Sequence, residues 1–565
     1  MKHFVLFVFL LFMETFAVKA QSFPKSDFTK PVKGRYSLSS DFGEIRPNHF
    51  HMGLDIRLRM RQPVYSVADG FISRIKVRSG GYGKALYVDH YNGYRSVYGH
   101  LDAFIPEAEE YIKKHQEKNH SFNTVVYPDT TRFPVKKGQL IAYGGNSGRS
   151  YGAHLHFEIR ERNKDIPVNP YLLGFGVYDK SSPSVFRLKV SPLSVQSQVF
   201  GNSMANKFKL QRSGNIYKLL KPVSVSGSVG LSVQTQDTKT NSRNRYAVYK
   251  AEVYEDDSLI FRFIKNKISF YETRYLNSYI DYHEKQKHNT RYTNLYREPG
   301  NSLSIYDDSV GTGVINIRPN ERRKIKIKLS DFAGNVSTIY LNLNGVSGTG
   351  ESAGDFKQPM RANQKNYFVK DNFRLISGKT SFYSDFDFAY QSSESGDRRL
   401  YSDKHIIHKK ETAIHNEVYI SVRVQKPANY SEQLCLVRIN GRGQLKYAGG
   451  NFLNGFVSAE IKEFGTYAVA IDTKSPIIYA NNFNKGSHVS QLKELTFKLK
   501  DNLSGVAGYR AFFNGKPVIV IYDSKNDLLS YKLDHSVLQK KKNHIKITVF
   551  DKKGNQTVYN TNFFR

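Results

Sequence analysis

Residues 152–160 read Gly-Ala-His-Leu-His-Phe-Glu-Ile-Arg, and polar and apolar side chains alternate through this stretch as they do in a half-buried β-strand. In an extended strand, side chains two residues apart project from the same face. His154 and His156 therefore point the same way, while Leu155 turns into the sheet. We predict that one face of this strand presents both imidazoles.

Two shorter strings upstream have the same character: HFHMGLD, around His51 and Asp55, and YGHL, around His100. His51 and Asp55 share a face, because they are four residues apart in an extended chain. With His154 and His156 they supply the imidazole and carboxylate groups that a borderline-soft divalent metal prefers. A catalytic zinc ion needs three protein ligands and a fourth position for water, which leaves two histidines for proton transfer.

The residue types alone leave the identity of the metal open. Calcium is disfavoured, because histidine is a poor ligand for a hard cation. Two histidines and a carboxylate also form the facial triad of non-haem iron enzymes, so iron is an alternative. The helical zinc-protease motif H-E-x-x-H is absent, because the pair His283-Glu284 is followed by His288 one position too late.

The segment around these histidines alternates short apolar stretches with turn signals such as Asp69-Gly70 and Asn92-Gly93, which is typical of an antiparallel β meander. Residues 106–119, PEAEEYIKKHQEKN, interrupt this pattern. Proline at the start, acidic residues in the first turn and lysines later predict a helix. The helix belongs to an insert at about 102–135 that either walls a substrate groove or decorates the surface.

Beyond residue 180 the strand pattern continues, and two segments repeat with an offset of 220 residues: IKIKLSDFAGN at 325–335 and IKITVFDKKGN at 545–555. Each is an alternating strand that runs into a D-x-x-G-N turn, which predicts β-sandwich modules of immunoglobulin-like type. Asp307, Asp308 and the turn aspartates Asp331 and Asp551 are also candidates for binding calcium, although capping a turn is the more frequent use of such residues.

The first twenty residues resemble a secretory signal: a basic start, the apolar run Phe4 to Phe12, and the small residues Val18 and Ala20 before a cleavage site. A retained membrane anchor is the alternative. We predict export to the periplasm, the cell envelope or the exterior of a bacterium, with no transmembrane segment after signal cleavage. The single cysteine, Cys435, cannot form an internal disulfide, which suits such a protein better than a disulfide-rich secreted scaffold.

Lysine and arginine exceed aspartate and glutamate by 34, and this balance attracts polyanions at long range. For an exported protein, the polyanions within reach are anionic envelope polymers. We expect no nucleic-acid partner, because no zinc finger, helix-turn-helix or ribonucleoprotein motif is present. The alternative use of the lysines is to keep exposed sheet edges soluble.

Residues of about 36–170 resemble the lysostaphin-type, or LytM-type, family of zinc endopeptidases, which cut peptidoglycan cross-bridges. The matching motifs follow the family's order. They read F-H-x-G-x-D from Phe50, P-V-Y-S-V-A-D-G from Pro63, G-Y-G-K from Gly81, Y-G-H-L from Tyr98, K-K-G-Q from Lys136 and G-G-N-S-G-R-S-Y-G-A-H-L-H-F-E-I-R from Gly144.

The resemblance implies one zinc ion held by His51, Asp55 and His156, with His154 and His100 as the catalytic histidines. Which of these two is the general base stays open, and the substrate-binding residues are unknown. The predicted insert departs from the family pattern. It lies beside the implied groove, so it bears on the choice of substrate rather than on the metal site.

The predicted fold class is mainly β: an antiparallel-sheet peptidase domain of LytM type with a small helical insert, followed by β-sandwich modules. The predicted division of the chain is a signal peptide at 1–20, the zinc metallopeptidase domain at 21–180, a β-sandwich module at 182–346, a middle β domain at 355–473 and a C-terminal β-sandwich module at 474–565.

From this sequence we expect an exported zinc metalloendopeptidase that hydrolyses peptide bonds of peptidoglycan cross-links. One alternative is a non-catalytic envelope scaffold or activator, which would use the peptidase domain only to bind the wall. Another is a protease of glycine-rich proteins. All five side chains that the chemistry requires are present, and this argues against the degenerate family members that activate other wall enzymes.

Overall fold

The computed structural model of the protein describes residues 23–348, 358–533, 538–539 and 541–564. The predicted signal peptide, residues 1–20, lies outside the described residues. Within the described ranges, no helix is both long and apolar enough to cross a membrane. Most of the regular structure consists of β-sheets, which confirms the predicted fold class.

The N-terminal domain is built on a single sheet of eleven strands. These are β1 (Leu38–Ser40), β2 (Leu54–Arg57), β3 (Pro63–Tyr65), β4 (Gly70–Val77), β5 (Lys84–His90), β6 (Tyr94–Phe104), β7 (Thr124–Val126), β8 (Pro134–Val135), β9 (Leu140–Gly144), β10 (His154–Glu161) and β11 (Ile166–Val168). Their order is β1-β2-β10-β6-β5-β4-β7, with the other four strands paired to members of this path. The central strands β2, β10 and β6 are therefore neighbours, although they are distant in sequence.

One α-helix, α1 (Pro106–Lys118), lies in the predicted insert, which confirms the helical insert. Its buried side chains Ala108 and Ile112 join the core of the domain, and it packs against β6 and β7. The ammonium of Lys84 on β5 forms an ion pair with Glu109 at 2.5 Å. The helix is therefore attached to the sheet at the strand that precedes β6.

The second module contains twelve further strands in one extended sheet. These are β12 (Ser184–Pro192), β13 (Gln198–Val199), β14 (Asn206–Phe208), β15 (Gln211–Ser213), β16 (Ile216–Lys218), β17 (Val223–Gln236), β18 (Lys250–Glu255), β19 (Ser258–Ile264), β20 (Thr293–Asn294), β21 (Ile315–Ile317), β22 (Arg322–Ser330) and β23 (Val336–Gly345). Between β19 and β20 the chain forms a 3₁₀-helix (Phe270–Tyr275), α2 (Leu276–Tyr279) and α3 (Tyr282–His288), which the sequence patterns did not predict.

The middle module consists of two five-stranded sheets and one two-stranded sheet, and the C-terminal module consists of two four-stranded sheets. Each of these modules has its own main hydrophobic core. The middle module has β24 (Pro359–Met360), β25 (Asn366–Lys370), β26 (Phe373–Ser377), β27 (Phe386–Asp387), β28 (Tyr390–Ser393), β29 (Lys404–Ile407), β30 (Ala413–Arg423), β31 (Leu434–Ile439), β32 (Leu445–Gly449), β33 (Asn451–Leu453), β34 (Phe456–Glu463) and β35 (Gly465–Ile471). The C-terminal module has β36 (Ile477–Ala480), β37 (Glu494–Lys500), β38 (Val506–Phe513), β39 (Lys516–Val518), β40 (Ile521–Asp523), β41 (Leu528–Lys532), β42 (Lys542–Asp551) and β43 (Gln556–Phe564). The immunoglobulin-like identity of these modules stays a prediction.

The N-terminal domain and the second module share side chains across their boundary. Phe42, Phe50 and Met52 belong to the N-terminal segment, yet they are buried in the hydrophobic cluster of the second module. The ring of Phe50 lies edge-on to that of Tyr279, with 5.4 Å between the ring centroids. Because Phe50 immediately precedes His51, the second module helps to fix the position of that histidine.

We expect Phe50→Ala to destabilise the protein by about 3–5 kcal/mol, because it removes a fully buried ring and leaves a cavity between two domains. Denaturant unfolding followed by far-UV circular dichroism measures the change. Tyr271→Ala is the matched control, since that ring is 96% exposed. Equal unfolding midpoints for Phe50→Ala and the wild type would contradict the shared core.

Candidate metal centre

The register between two antiparallel strands brings the candidate ligands together. β10 pairs with β2 so that His156 lies opposite Asp55, and Leu155 lies opposite Ile56. Leu155 and Ile56 are fully buried, so the alternation of the strands turns Asp55 and His156 to the other face. His51 reaches the same place from the segment just before β2.

The three candidate ligand atoms, His51 Nε2, Asp55 Oδ1 and His156 Nδ1, form a triangle whose sides are all 3.0 Å. Ligands of a tetrahedral zinc ion with bonds of about 2.0–2.1 Å lie about 3.3 Å apart, so the triangle has nearly the size that zinc requires. The three side chains are buried. Two imidazoles and one carboxylate are a donor set that zinc accepts at catalytic sites.

Each of the two histidines is oriented by a second hydrogen bond. His51 Nδ1 lies 2.7 Å from the carbonyl oxygen of Asp41, and His156 Nε2 lies 2.7 Å from Glu158 Oε1. Both partners are acceptors, so these ring nitrogens donate. The opposite nitrogens, which face each other across the triangle, are therefore left with free lone pairs, as metal-binding histidines require.

The sequence interpretation missed the residues that support His156. Glu158 is fully buried and accepts from Arg160 Nε at 2.7 Å and from the hydroxyl of Tyr82. The ring of Tyr82 also stacks on His156 at a centroid distance of 4.9 Å. The signal was present, because residues 154, 156, 158 and 160 occupy one face of β10.

The second carboxylate oxygen of Asp55 is also hydrogen-bonded. Asp55 Oδ2 accepts from Arg46 Nη2 at 2.9 Å, and the same guanidinium donates to Ser40 Oγ at 2.7 Å. Burial opposes ionisation of Asp55, but the charges and hydrogen bonds of His51 and His156 hold its pKa well below its usual range. The carboxylate is thus available as an anionic ligand.

His100 and His154 lie beside the triangle, with 4.8 Å between their ring centroids. The Nδ1 atoms point to backbone carbonyl oxygens, at 2.8 Å from Ser147 for His100 and at 3.0 Å from Gly152 for His154. Each Nδ1 therefore donates, and each Nε2 is left as an acceptor. His154 Nε2 lies 3.6 Å from Asp55 Oδ1, so it faces the candidate ligands.

The environment keeps both of these histidines neutral. Burial lowers the pKa of His100 to about 3, and the neighbouring imidazoles of His156 and His154 add to the shift. Burial also lowers the pKa of His154. His156 differs: burial opposes its charged form, but hydrogen bonds to Asp55 and Glu158 raise its pKa to about 9. A metal would compete with a proton for that ring.

His100 also has an unusual backbone. Its φ angle is +60°, in the left-handed region that few residues other than glycine adopt, and such strain is concentrated at functional sites. Its backbone N–H donates to the carbonyl oxygen of Tyr82 at 2.8 Å. Because of this backbone conformation, the His100 imidazole lies beside the triangle and does not follow the regular alternation of side chains along β6.

A groove of about 890 Å³ lies along the loop of residues 146–152 that leads into β10. The candidate site residues do not line it, but Ser147 and Gly152 do, and their carbonyl oxygens accept from His100 and His154. Phe122 of the insert lines it, and so do Ile521, Tyr522, Asp523, Lys525 and Asn526 of the C-terminal module. The ammonium of Lys525 donates to the carbonyl oxygens of Gly148 and Ser150 at 3.2 and 3.1 Å. The insert therefore borders a groove, and the C-terminal module borders it too, which the sequence did not predict.

Two family models match parts of the chain. Residues 49–124 match peptidase family M23, and residues 357–472 match the Zu5-like domain. The first match includes His51, Asp55 and His100. The second lies almost entirely within the middle module.

Three curated proteins are similar to the N-terminal part of the chain. A DD-carboxypeptidase/endopeptidase, Mpg, of Neisseria meningitidis is 36% identical over 138 residues, which are 24% of this chain and 26% of that protein. Lipoprotein NlpD of Yersinia enterocolitica is 30% identical over 21% of this chain and 97% of the relative. Murein hydrolase activator NlpD of Escherichia coli is 28% identical over 27% and 32% of the two chains. The chain spans about a quarter of the length of the curated relatives that it matches first.

We expect Glu158→Gln to weaken zinc binding about 10–100-fold, because the neutral amide no longer holds the Nε2 proton of His156 as firmly. Competition with a chromophoric chelator measures the affinity. Glu161→Gln is the matched control, because it changes a carboxylate of the same strand that pairs with Lys267 instead. Equal zinc affinities for Glu158→Gln and the wild type would contradict the role of Glu158.

Proposed function

Because the chain belongs to peptidase family M23, we propose that it is a zinc-dependent endopeptidase that hydrolyses peptide bonds of peptidoglycan cross-links. The observation that carries this proposal is the triangle of His51, Asp55 and His156, with two neutral imidazoles next to it. A protein that only binds the wall does not need ligand tautomers fixed for a metal, nor two imidazoles with free acceptor nitrogens beside it.

In the proposed mechanism, His51, Asp55 and His156 hold the zinc ion. A zinc ion held there would lower the pKa of a bound water toward about 7 and would polarise the scissile carbonyl. His154 acts as the base, because its Nε2 faces the ligands and is a free acceptor; it later returns the proton to the leaving amine. His100 orients the water or stabilises the developing negative charge.

The proposed substrate follows from the relatives and from the groove. The Neisseria relative is named a DD-carboxypeptidase/endopeptidase, and a relative from Vibrio cholerae is named a peptidoglycan DD-endopeptidase. A groove beside the centre provides space for such a peptide, and the 34 excess positive charges favour adsorption to anionic envelope polymers. Peptidoglycan lies outside the cytoplasm, so the proposal includes export to the periplasm or cell envelope of a bacterium.

The second candidate function is that of a non-catalytic activator of other wall enzymes. A relative named murein hydrolase activator NlpD supports it. The intact donor set in this chain favours catalysis instead. Digestion of purified peptidoglycan separates the two functions, because an activator releases no new amino termini by itself.

We expect the zinc-loaded full-length protein to release new amino termini from purified peptidoglycan, detected by mass spectrometry. His156→Ala should abolish both activity and zinc binding, because it removes a ligand. His154→Ala should retain zinc but lose activity about 10²–10⁴-fold, as expected when a general base is removed. His544→Ala, at an exposed position of the C-terminal module, is the control. Full activity in both of the first two variants would overturn the assignment.

Removal of the metal is a separate test. We expect dialysis against a chelator to abolish digestion and stoichiometric zinc to restore it. Among the described residues, no side chain at the triangle is an electrophile that could replace the metal. Undiminished digestion after complete zinc removal, verified by elemental analysis, would refute the zinc-dependent mechanism. Digestion of elastin-like peptides but not of wall fragments would instead favour a protease of glycine-rich proteins.

A further inference from the structure

Two buried clusters of aspartates occupy corresponding places in the second and the C-terminal module. The first acid corner consists of Asp179, Asp237 and Asp331, and the second acid corner consists of Asp472, Asp501 and Asp551. In each corner, carboxylate oxygens of all three residues lie within 4.8 Å of one another. The first member of each begins the sequence D-x-x-S-P, and the third begins the D-x-x-G-N turn.

The hydrogen bonds of the two corners also correspond. In the first, the Asn335 amide donates to Asp331 Oδ2 at 2.7 Å and to the carbonyl oxygen of Asp179 at 3.4 Å. In the second, the Asn555 amide donates to Asp551 Oδ2 at 2.7 Å and to the carbonyl oxygen of Asp472 at 2.8 Å. The turn aspartates therefore cap their turns as predicted, and the two corners share one architecture.

The first acid corner contains its own cation. The ammonium of Lys239 is buried and lies 2.8 Å from Asp237 and 3.5 Å from Asp179. It also lies 3.8 Å from Asp41, the residue whose carbonyl oxygen orients His51. Because carboxylates buried without a counter-charge are costly, this lysine stabilises the corner.

The second acid corner has no such lysine. Lys239 stands two residues after Asp237, whereas Leu503 stands two residues after Asp501. Of the two lysines in the D-x-x-G-N turn, Lys552 lies over the ring of Tyr447, and Lys553 donates to the carbonyl oxygen of Gly450 at 3.1 Å. Among the ion pairs of the described residues, none involves a carboxylate of this corner.

Unpartnered polar atoms are concentrated at the second acid corner. Of the twelve buried side-chain nitrogen and oxygen atoms without a hydrogen-bond partner among the described residues, four lie here: Gln433 Oε1, Asp472 Oδ1, Asp501 Oδ1 and Ser504 Oγ. Two more, Asp179 Oδ2 and Asp237 Oδ1, belong to the first acid corner, where the charge of Lys239 lies close to them. Asp472 and Ser504 are 0% and 1% exposed, and the Ser504 N–H donates to Asp472 Oδ2 at 2.9 Å. All four atoms can accept, so a cation is a ligand that can satisfy them together.

We propose that the second acid corner binds a calcium ion, in the place that the Lys239 ammonium takes in the first acid corner. The donors are all oxygens, and three of them carry negative charge, which is the preference of a hard divalent cation. Calcium accepts six to eight oxygen ligands in flexible geometry, so carboxylates, the Gln433 amide oxygen and water together can complete its shell.

The position of this site gives the ion a structural role. Gln433 belongs to the middle module, and its carbonyl oxygen accepts from the Asp472 N–H at 3.1 Å; Asp501 and Asp551 belong to the C-terminal module. The ion therefore joins the two modules at their boundary. The C-terminal module also carries Lys525, which contacts the loop beside the catalytic histidines, so the junction fixes one side of the groove.

Isothermal titration of the zinc-loaded full-length protein with CaCl₂ tests the site. We expect one saturable calcium site per chain and a higher midpoint of thermal unfolding in calcium. Asp501→Asn should weaken calcium binding at least about tenfold while its amide oxygen still accepts from the turn N–H groups. Asp237→Asn, the equivalent change in the first acid corner, should leave calcium binding unchanged.

A second variant keeps the test decisive if Asp501→Asn fails to fold. Leu503→Lys places an ammonium where Lys239 stands in the other module, and we expect it to fold without calcium and to lose calcium binding. Absence of a saturable calcium site in the wild type would overturn the proposal. So would binding of magnesium but not calcium, or calcium binding of wild-type strength in the folded Asp501→Asn or Leu503→Lys variant.

Discussion

The antiparallel register between β2 and β10 is the constraint on which the site depends. It sets Asp55 opposite His156, and the same register buries Ile56 opposite Leu155. A shift of one residue would turn the ligands into the core and the apolar side chains to the surface. The hydrophobic alternation of two short strands therefore fixes the geometry of the candidate metal centre.

Support for the centre extends outward in two directions. One path runs along β10, where Arg160 holds Glu158 and Glu158 holds His156. The other runs into the second module, where the N–H of Ala247 and the ammonium of Lys239 hold the Asp41 carboxylate. The carbonyl oxygen of that residue orients His51. The modules that follow the N-terminal domain therefore contribute to the site, since the second module supports the position of the candidate ligand His51.

The local parts of this arrangement could be predicted from the sequence, and the long-range parts could not. Alternation placed His154 and His156 on one face, and turn and helix signals indicated the meander and the helix of the insert. Glu158 could have been found by extending the same alternation by two residues. Contacts such as Lys525 with the loop at 148–150 depend on how modules pack, and no local pattern encodes packing between residues so far apart in sequence. The first acid corner contains a lysine and the second does not. This difference could be recognised only from the fold, because the fold shows that the two corners are equivalent.

Diffraction at the zinc absorption edge from zinc-replete crystals would reveal whether these three side chains bind one zinc ion. We expect one strong anomalous peak at the triangle of His51 Nε2, Asp55 Oδ1 and His156 Nδ1, within bonding distance of all three atoms. An absent peak under zinc-replete conditions, or a peak bound by other side chains, would contradict it.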